Sequence, residues 1–284
     1  MTNEMASPER NYAEVGDLRV FYLERGTGTP VILLHGGLAT AELSWNDPID
    51  SLAGSYRVLA PDSRGHGRTG NLEQGLNYAL MADDVAGFID GLGLDRPVLV
   101  GYSDGAQVAI EFGLRHPGKA RALVFGGAIA EMTPTYLDML HSWGFPSAGE
   151  VDLRNLEQAF GGFFETINVA HAHVHGSDYW RQLLHQISRL WLTTPTYDAA
   201  TLGQIREPTL VIAGDRDGAA AEQMFGIFRA LPQGELAVVP RAEHDAVNRP
   251  VFWPWCGTSS TVMSPMRRAR PQAVEIRLGR RLGI

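Results

Sequence analysis

Ser103 stands at the centre of Gly101-Tyr102-Ser103-Asp104-Gly105, directly after the apolar run Val98 to Val100 and before Ala106 to Phe112, where apolar residues recur at helical spacing. A serine between a strand and a helix, with glycine two positions to either side, sits in a sharp turn that any larger side chain would crowd. Such a turn lifts the hydroxyl above the sheet edge, where it can attack an electrophilic carbon. The attack needs a base to take the proton, an acid to orient that base, and donors aimed at the oxyanion that develops.

The chain offers a candidate for each part. His35-Gly36-Gly37-Leu38 follows the apolar run Val31 to Leu34, and its glycines let backbone N–H groups face a cleft without obstruction. Gly37 and Asp104 are the expected oxyanion donors, with Leu38 as the alternative to Gly37. Ala213-Gly214-Asp215-Arg216-Asp217 carries two candidate acids, Asp217 and Asp215, and His244 is the candidate base. Asp217 and His244 both follow strand-like runs, Thr209 to Ala213 and Glu235 to Val239. They therefore fall at the carboxyl ends of strands, the edge where open α/β sheets bind ligands.

The elements that must hold these residues are legible as an alternation of short apolar runs with helical patterns. Strands are expected at Val31 to Leu34, Arg57 to Ala60, Val98 to Val100, Ala122 to Phe125, Thr209 to Ala213 and Glu235 to Val239. That alternation predicts a mostly parallel sheet with helices on both faces. Tyr12 to Val15 and Leu18 to Leu23 read as an antiparallel hairpin turning at Gly16-Asp17 and forming one edge of the sheet. Leu80 to Leu92 reads as an amphipathic helix feeding the strand before Ser103. Between Gly126 and about Arg206 the strand signal disappears, and aromatics such as Trp143, Phe145, Phe160, Phe163 and Trp191 are set among helix formers. This segment is expected to be a helical insertion over the strand ends, most of its aromatics in its own core and a few facing a ligand.

With these residues the chain resembles the α/β-hydrolase fold family with a helical cap, from about Tyr12 to Pro250. Pro61-Asp62-Ser63-Arg64-Gly65-His66-Gly67 is similar to the family's Asp-x-Arg-Gly-x-Gly turn, and Pro208 to Asp217 to its acid-bearing strand and loop. The resemblance implies an eight-stranded, mostly parallel sheet, with residues 1–126 and 207–250 as the core and 127–206 as the cap. It places nucleophile, acid and base on Ser103, Asp217 and His244, favouring Asp217 over Asp215. Glu243 stands where the family commonly has glycine, a carboxylate beside the base. The implied activity is cleavage of a carboxylic ester, thioester or lactone through an acyl-enzyme, with no metal or organic cofactor. Carbon-carbon bond hydrolysis and cofactor-free haloperoxidation share the same residue set, and a ligand-binding receptor on a hydrolase scaffold is the alternative from another class. Dehalogenases and epoxide hydrolases of the family use an aspartate where this chain has Ser103.

Composition bounds the partners. The 284 residues are 44% hydrophobic and carry a net charge of −8, which argues against nucleic acid and for a small-molecule, ester-like substrate. No apolar run approaches a membrane span, and the single Cys256 cannot form an internal disulfide, so no membrane partner and a cytoplasmic setting are expected. Oligomeric state is not legible. His35 and His66 are expected to fix glycine-rich turns by hydrogen bonds, and Asp62 and Arg64 to tie their turn together. His171-Ala172-His173-Val174-His175 is expected to be a cap loop with solvated histidines rather than a metal site, because no converging acidic set accompanies it. From Val251 onward six arginines face one glutamate, and Pro254, Pro265 and Pro271 interrupt any helix. Residues 251–284 read either as an altered, frameshifted end or as a natural basic extension, and are expected to be poorly ordered.

Overall fold

The structure, a computed structural model, describes residues 7–70 and 73–249. Eight strands form one sheet: β1 (Glu9–Val15), β2 (Leu18–Arg25), β3 (Pro30–Leu34), β4 (Arg57–Pro61), β5 (Val98–Tyr102), β6 (Ala122–Gly126), β7 (Thr209–Gly214) and β8 (Gly234–Val239). Their spatial order is β1-β2-β4-β3-β5-β6-β7-β8. The β1-β2 and β2-β4 pairs are antiparallel and the others parallel. The hairpin lies at the sheet edge as the sequence predicts, Val15 pairing with Leu18 across Gly16, whose φ is +60°.

Alternation along the central strands divides the apolar residues between two layers, because successive side chains leave a strand on opposite faces. Val31, Leu33, Val98, Val100, Val124 and Ile212 pack with Trp45 and Ile49 of α1 (Ala41–Ala53). Ile32, Leu34, Leu99, Leu123 and Val211 pack on the other face with Phe88 of α2 (Tyr78–Gly91) and Phe112 of α3 (Asp104–Arg115). Burial on both faces explains why these strands read as continuous apolar runs.

Between β6 and β7 the chain forms α4 (Pro134–Trp143), α5 (Leu153–Phe160), α6 (Phe163–His175), α7 (Tyr179–Leu192) and α8 (Ala199–Leu202), and no strand. Local chemistry sets several of the ends. Thr133 accepts from the Tyr136 amide with Pro134 in the first turn, and Gly144, at φ +103°, closes α4. The Tyr179 hydroxyl donates to the Gly65 carbonyl at 2.8 Å and ties α7 to the turn after β4. The expectation of a solvated histidine loop is corrected here. Residues 171–175 are the last turns of α6, and His171 is fully buried, its Nδ1–H donating to the Ile167 carbonyl at 2.8 Å. The i, i+4 spacing of His171 and His175 sets both against Tyr179. Among the described residues no group of histidines, cysteines or carboxylates is arranged to hold a metal ion, and no helix is long and apolar enough to cross a membrane.

The helix α9 (Gly218–Ala230) links β7 to β8, and the loop bearing His244 after β8 leads into a 3-10 turn, Ala246–Asn248. The expectations for residues 251–284 lie outside the described residues.

The two glycines of the Ser103 turn are required by close backbone approach. A Cβ on Gly101 would overlap the Gly105 carbonyl, and one on Gly105 would overlap the Leu34 carbonyl. Gly101→Ala and Gly105→Ala are each expected to destabilise the protein by roughly 1–3 kcal/mol or more in chemical denaturation. Gly54→Ala, at a site with open space and φ −66°, serves as the near-neutral control.

Candidate active site

The candidate residues meet at the carboxyl ends of β3, β5, β7 and β8. Ser103 lies between β5 and α3 with φ +54° and ψ −117°, a strained conformation for a residue with a Cβ, held by its amide donating to the Gly126 carbonyl at 2.8 Å. Serine at a helix start usually caps the helix. Here its hydroxyl makes no cap and instead lies 3.0 Å from His244 Nε2. His244 Nδ1 faces Asp217, at 3.0 Å from Oδ1 and 3.2 Å from Oδ2. With Nδ1–H donating to the carboxylate, Nε2 keeps its lone pair for the serine proton.

Of the two candidate acids, Asp217 and not Asp215 faces His244. Asp217 begins α9 with its side chain 7% exposed, whereas Asp215 is turned to solvent. Two glycines let the histidine loop close on the strand ends. A Cβ on Gly214 would overlap the Ala242 and Glu243 carbonyls, and one on Gly127, at φ +69°, would come within 2.6 Å of the His244 ring. Nothing around Gly127 in the sequence marks it except its place directly after β6. Glu243 is exposed and lines the cavity mouth, with no hydrogen bond to His244.

The expected oxyanion donors also converge. Gly36, Gly37, Leu38 and Asp104 line the same cavity as Ser103 and His244. The amides of Gly37, Leu38 and Asp104 have no acceptor among the described residues, and the Asp104 amide heads α3, where the helix dipole favours negative charge. Leu38 adopts φ +62°, a second strained residue beside Ser103. A Cβ on Gly37 would press on Trp191 and the Asp104 carboxylate, so glycine is required at that point. The cavity measures about 820 Å³ and is walled on the helical side by Tyr136, Met139, Leu140, Trp143, Phe160 and Trp191. A few of the insertion's aromatics thus face it, while Phe145 is fully buried.

The Asp62 turn braces the floor. Its carboxylate accepts from the Ala41 amide at 2.8 Å and the Arg68 amide at 2.9 Å, and burial pushes its pKa up to about 6. Arg64 departs from the expectation. Its guanidinium leaves the turn and pairs with Asp84 of α2 at 2.6 and 2.8 Å. His35 donates Nδ1–H to the Gly36 carbonyl at 2.8 Å and accepts the Ser63 amide on Nε2 at 2.9 Å, as expected of a residue that fixes a loop. His66 does likewise, donating to the Arg64 carbonyl at 2.9 Å. Burial lowers the pKa of His35 to about 4 and that of His66 well below its ordinary value.

Sequence reading also missed the side-chain environment of Asp104. Its carboxylate is buried and accepts from the Tyr78 hydroxyl at 3.1 Å and from the Trp191 indole at 2.8 Å. Burial raises its pKa to about 6 despite these two donors. No local spacing links residues 78, 104 and 191, so only the folded cap could reveal them.

Residues 31–252 match the Alpha/beta hydrolase family, and the chain belongs to that family. It is 27% identical over 254 residues to a 2-hydroxy-6-oxo-6-(2'-aminophenyl)hexa-2,4-dienoic acid hydrolase of Metapseudomonas resinovorans, covering 86% of this chain and 87% of that protein. It is 32% identical over 136 residues to a soluble epoxide hydrolase of a Corynebacterium species, covering 48% of this chain and 46% of that one. Among solved structures it is similar to 2-hydroxy-6-oxo-6-phenylhexa-2,4-dienoate hydrolase from a Rhodococcus species, with a TM-score of 0.71, 19% identity, 93% of this chain and 100% of that chain covered.

The tautomer of His35 carries a pH consequence. The unfolded imidazole takes a proton near pH 6.5, the folded one only near pH 4, so stability is lost as pH falls through that interval. Asp62 and Asp104, raised to about 6, work in the opposite direction, taking up protons in the folded state first. Denaturant titrations of native protein and His35→Asn should isolate the histidine. The native protein's stability relative to the variant is expected to fall by about 1 kcal/mol per pH unit between pH 6.5 and 4. A constant difference would show that His35 binds a proton in the folded state as readily as in the unfolded one.

Proposed function

We propose that the protein hydrolyses a carboxylic ester, thioester or lactone through an acyl-enzyme on Ser103. The observation that carries this reading is the continuous hydrogen-bonded line from Ser103 Oγ to His244 Nε2 at 3.0 Å and from His244 Nδ1 to Asp217 at 3.0 Å, opening on one cavity. His244 takes the serine proton as Oγ attacks the carbonyl carbon, and Asp217 holds the imidazole in the tautomer that can accept it. The oxyanion is received by the amides of Asp104 and Gly37, with the Leu38 amide as the alternative donor. His244 then passes its proton to the departing alcohol or thiol, the acyl group stays on Oγ, and water activated by the same imidazole releases the acid.

Carbon-carbon bond hydrolysis is the second reading, favoured by the relative from Metapseudomonas resinovorans, whose name specifies a dienoic acid. The charged lining of this cavity weighs the other way. Among the described lining residues, Asp104, Asp217 and Glu243 stand with Arg216, while Asp245 is paired with Arg249, a balance that still opposes a carboxylate-bearing substrate. Ser103 in place of aspartate also separates this chain from the alkyl-enzyme chemistry that its family resemblance assigns to epoxide hydrolases.

With p-nitrophenyl butyrate, Ser103→Ala and His244→Ala are each expected to lower kcat by at least about 10⁴-fold, and the double variant by little more than either single one. Unchanged turnover in Ser103→Ala would overturn the reading. Asp217→Asn is expected to lower kcat by about 10⁴-fold, since the amide leaves His244 in the wrong tautomer. Stoichiometric binding without repeated turnover would instead identify a receptor.

A further inference from the structure

A carboxylate beside an oxyanion site is an electrostatic liability, because its charge opposes the one that forms in the transition state. Asp104 supplies such a carboxylate, and it stands next to Ser103 in sequence and in the cavity wall. The fold holds it in place with two neutral donors, the Tyr78 hydroxyl and the Trp191 indole, and no lysine or arginine pairs with it among the described residues. It also borders a recess that opens beside Ser103 and has room for about one water-sized group, roughly 10 Å³. Gln107, Tyr136 and Thr194 line this recess with uncharged polar groups, and among the described residues Asp104 is the one charged group that lines it.

We infer that the Asp104 carboxylate binds a cationic amino group on the acyl part of the substrate, so that the site selects ammonium-bearing esters over neutral ones. The inference rests on the hydrolase reading above and deepens it. An –NH₃⁺ group matches the recess in size and meets a fixed, desolvated carboxylate that already has two of its lone pairs occupied. Its charge also offsets the carboxylate's unfavourable field at the oxyanion, so its contribution grows as the oxyanion develops and appears in kcat as well as KM. The surroundings favour the same sign, with Glu243 at the mouth and a chain of net charge −8.

The test compares the benzyl ester of alanine with the benzyl ester of 2-methylpropanoic acid, in which a methyl group replaces the ammonium, at pH 6.5. Native protein is expected to show a kcat/KM at least about tenfold higher for the alanine ester, and Asp104→Asn to bring the ratio near one, as expected when one partner of a desolvated charge pair is removed. Ser103-dependent turnover of the neutral ester with no preference for the ammonium ester, or a preference that survives Asp104→Asn, overturns the inference and leaves the hydrolase reading standing. Absence of Ser103-dependent turnover of either ester overturns both. A measurement on native protein alone guards against a variant that does not fold. Isopropylammonium is expected to inhibit cleavage of the neutral ester at least tenfold more strongly than 2-propanol, and equal inhibition overturns the inference.

Discussion

A hydroxyl 3.0 Å from an imidazole nitrogen, between residues 141 positions apart in the chain, is the contact that the rest of the fold must hold. Neither partner comes from the interior of a regular element. Ser103 projects from the turn after β5, and His244 from the loop after β8. The parallel sheet brings both turns to one edge, and β6 and β7 lie between their strands. The remaining distance is closed by omitted side chains. Gly101 and Gly105 let the serine turn fold onto β3, while Gly127 and Gly214 let the histidine loop settle over β6 and β7. A methyl group at any of these four positions would part the two turns or distort one of them. Strain at Ser103 and Leu38 is the local cost, borne by strands buried on both faces.

The same edge concentrates groups that water would otherwise satisfy. Asp62, Asp104 and Asp217 are all buried carboxylates within a few residues of strand ends. Each is solvated by protein. Asp62 has two backbone amides, Asp217 has the imidazole, and Asp104 has a phenol and an indole. The partners differ in what they leave available. Amides lock Asp62 into a structural role, the imidazole couples Asp217 to Ser103, and neutral donors leave the Asp104 charge uncompensated. His35 and His66 show the complementary solution, imidazoles kept neutral by burial and committed to backbone groups. The cap takes part directly, since Trp191 on α7 reaches Asp104 and Tyr179 reaches the Gly65 carbonyl.

Much of this was legible in the residues. Burial on both faces leaves continuous apolar runs, so β3 to β7 could be placed, while Glu235 to Val239 marked β8 at the far edge and Gly16-Asp17 the hairpin. Ser103, Asp217 and His244 are candidates because each follows a strand, and the choice of Asp217 over Asp215 rests on the family resemblance. What escaped depends on contacts between distant segments. The histidines at 171–175 look like a polar stretch in the chain, yet α6 turns His171 inward. Arg64 sits in a glycine-rich turn, and nothing local shows that its partner is Asp84 on α2. The surroundings of Asp104 need α2, α3 and α7 to be packed together before Tyr78 and Trp191 meet it.

The central claim is that this edge makes Ser103, among all the serines of the chain, a nucleophile. Reaction of the native protein with a fluorophosphonate, followed by mass spectrometry of its peptides, addresses that claim without any choice of substrate. The account predicts one adduct per chain, on the peptide containing Ser103, formed much more slowly in His244→Ala. Labelling on another residue, or no labelling while the protein remains folded, would contradict it.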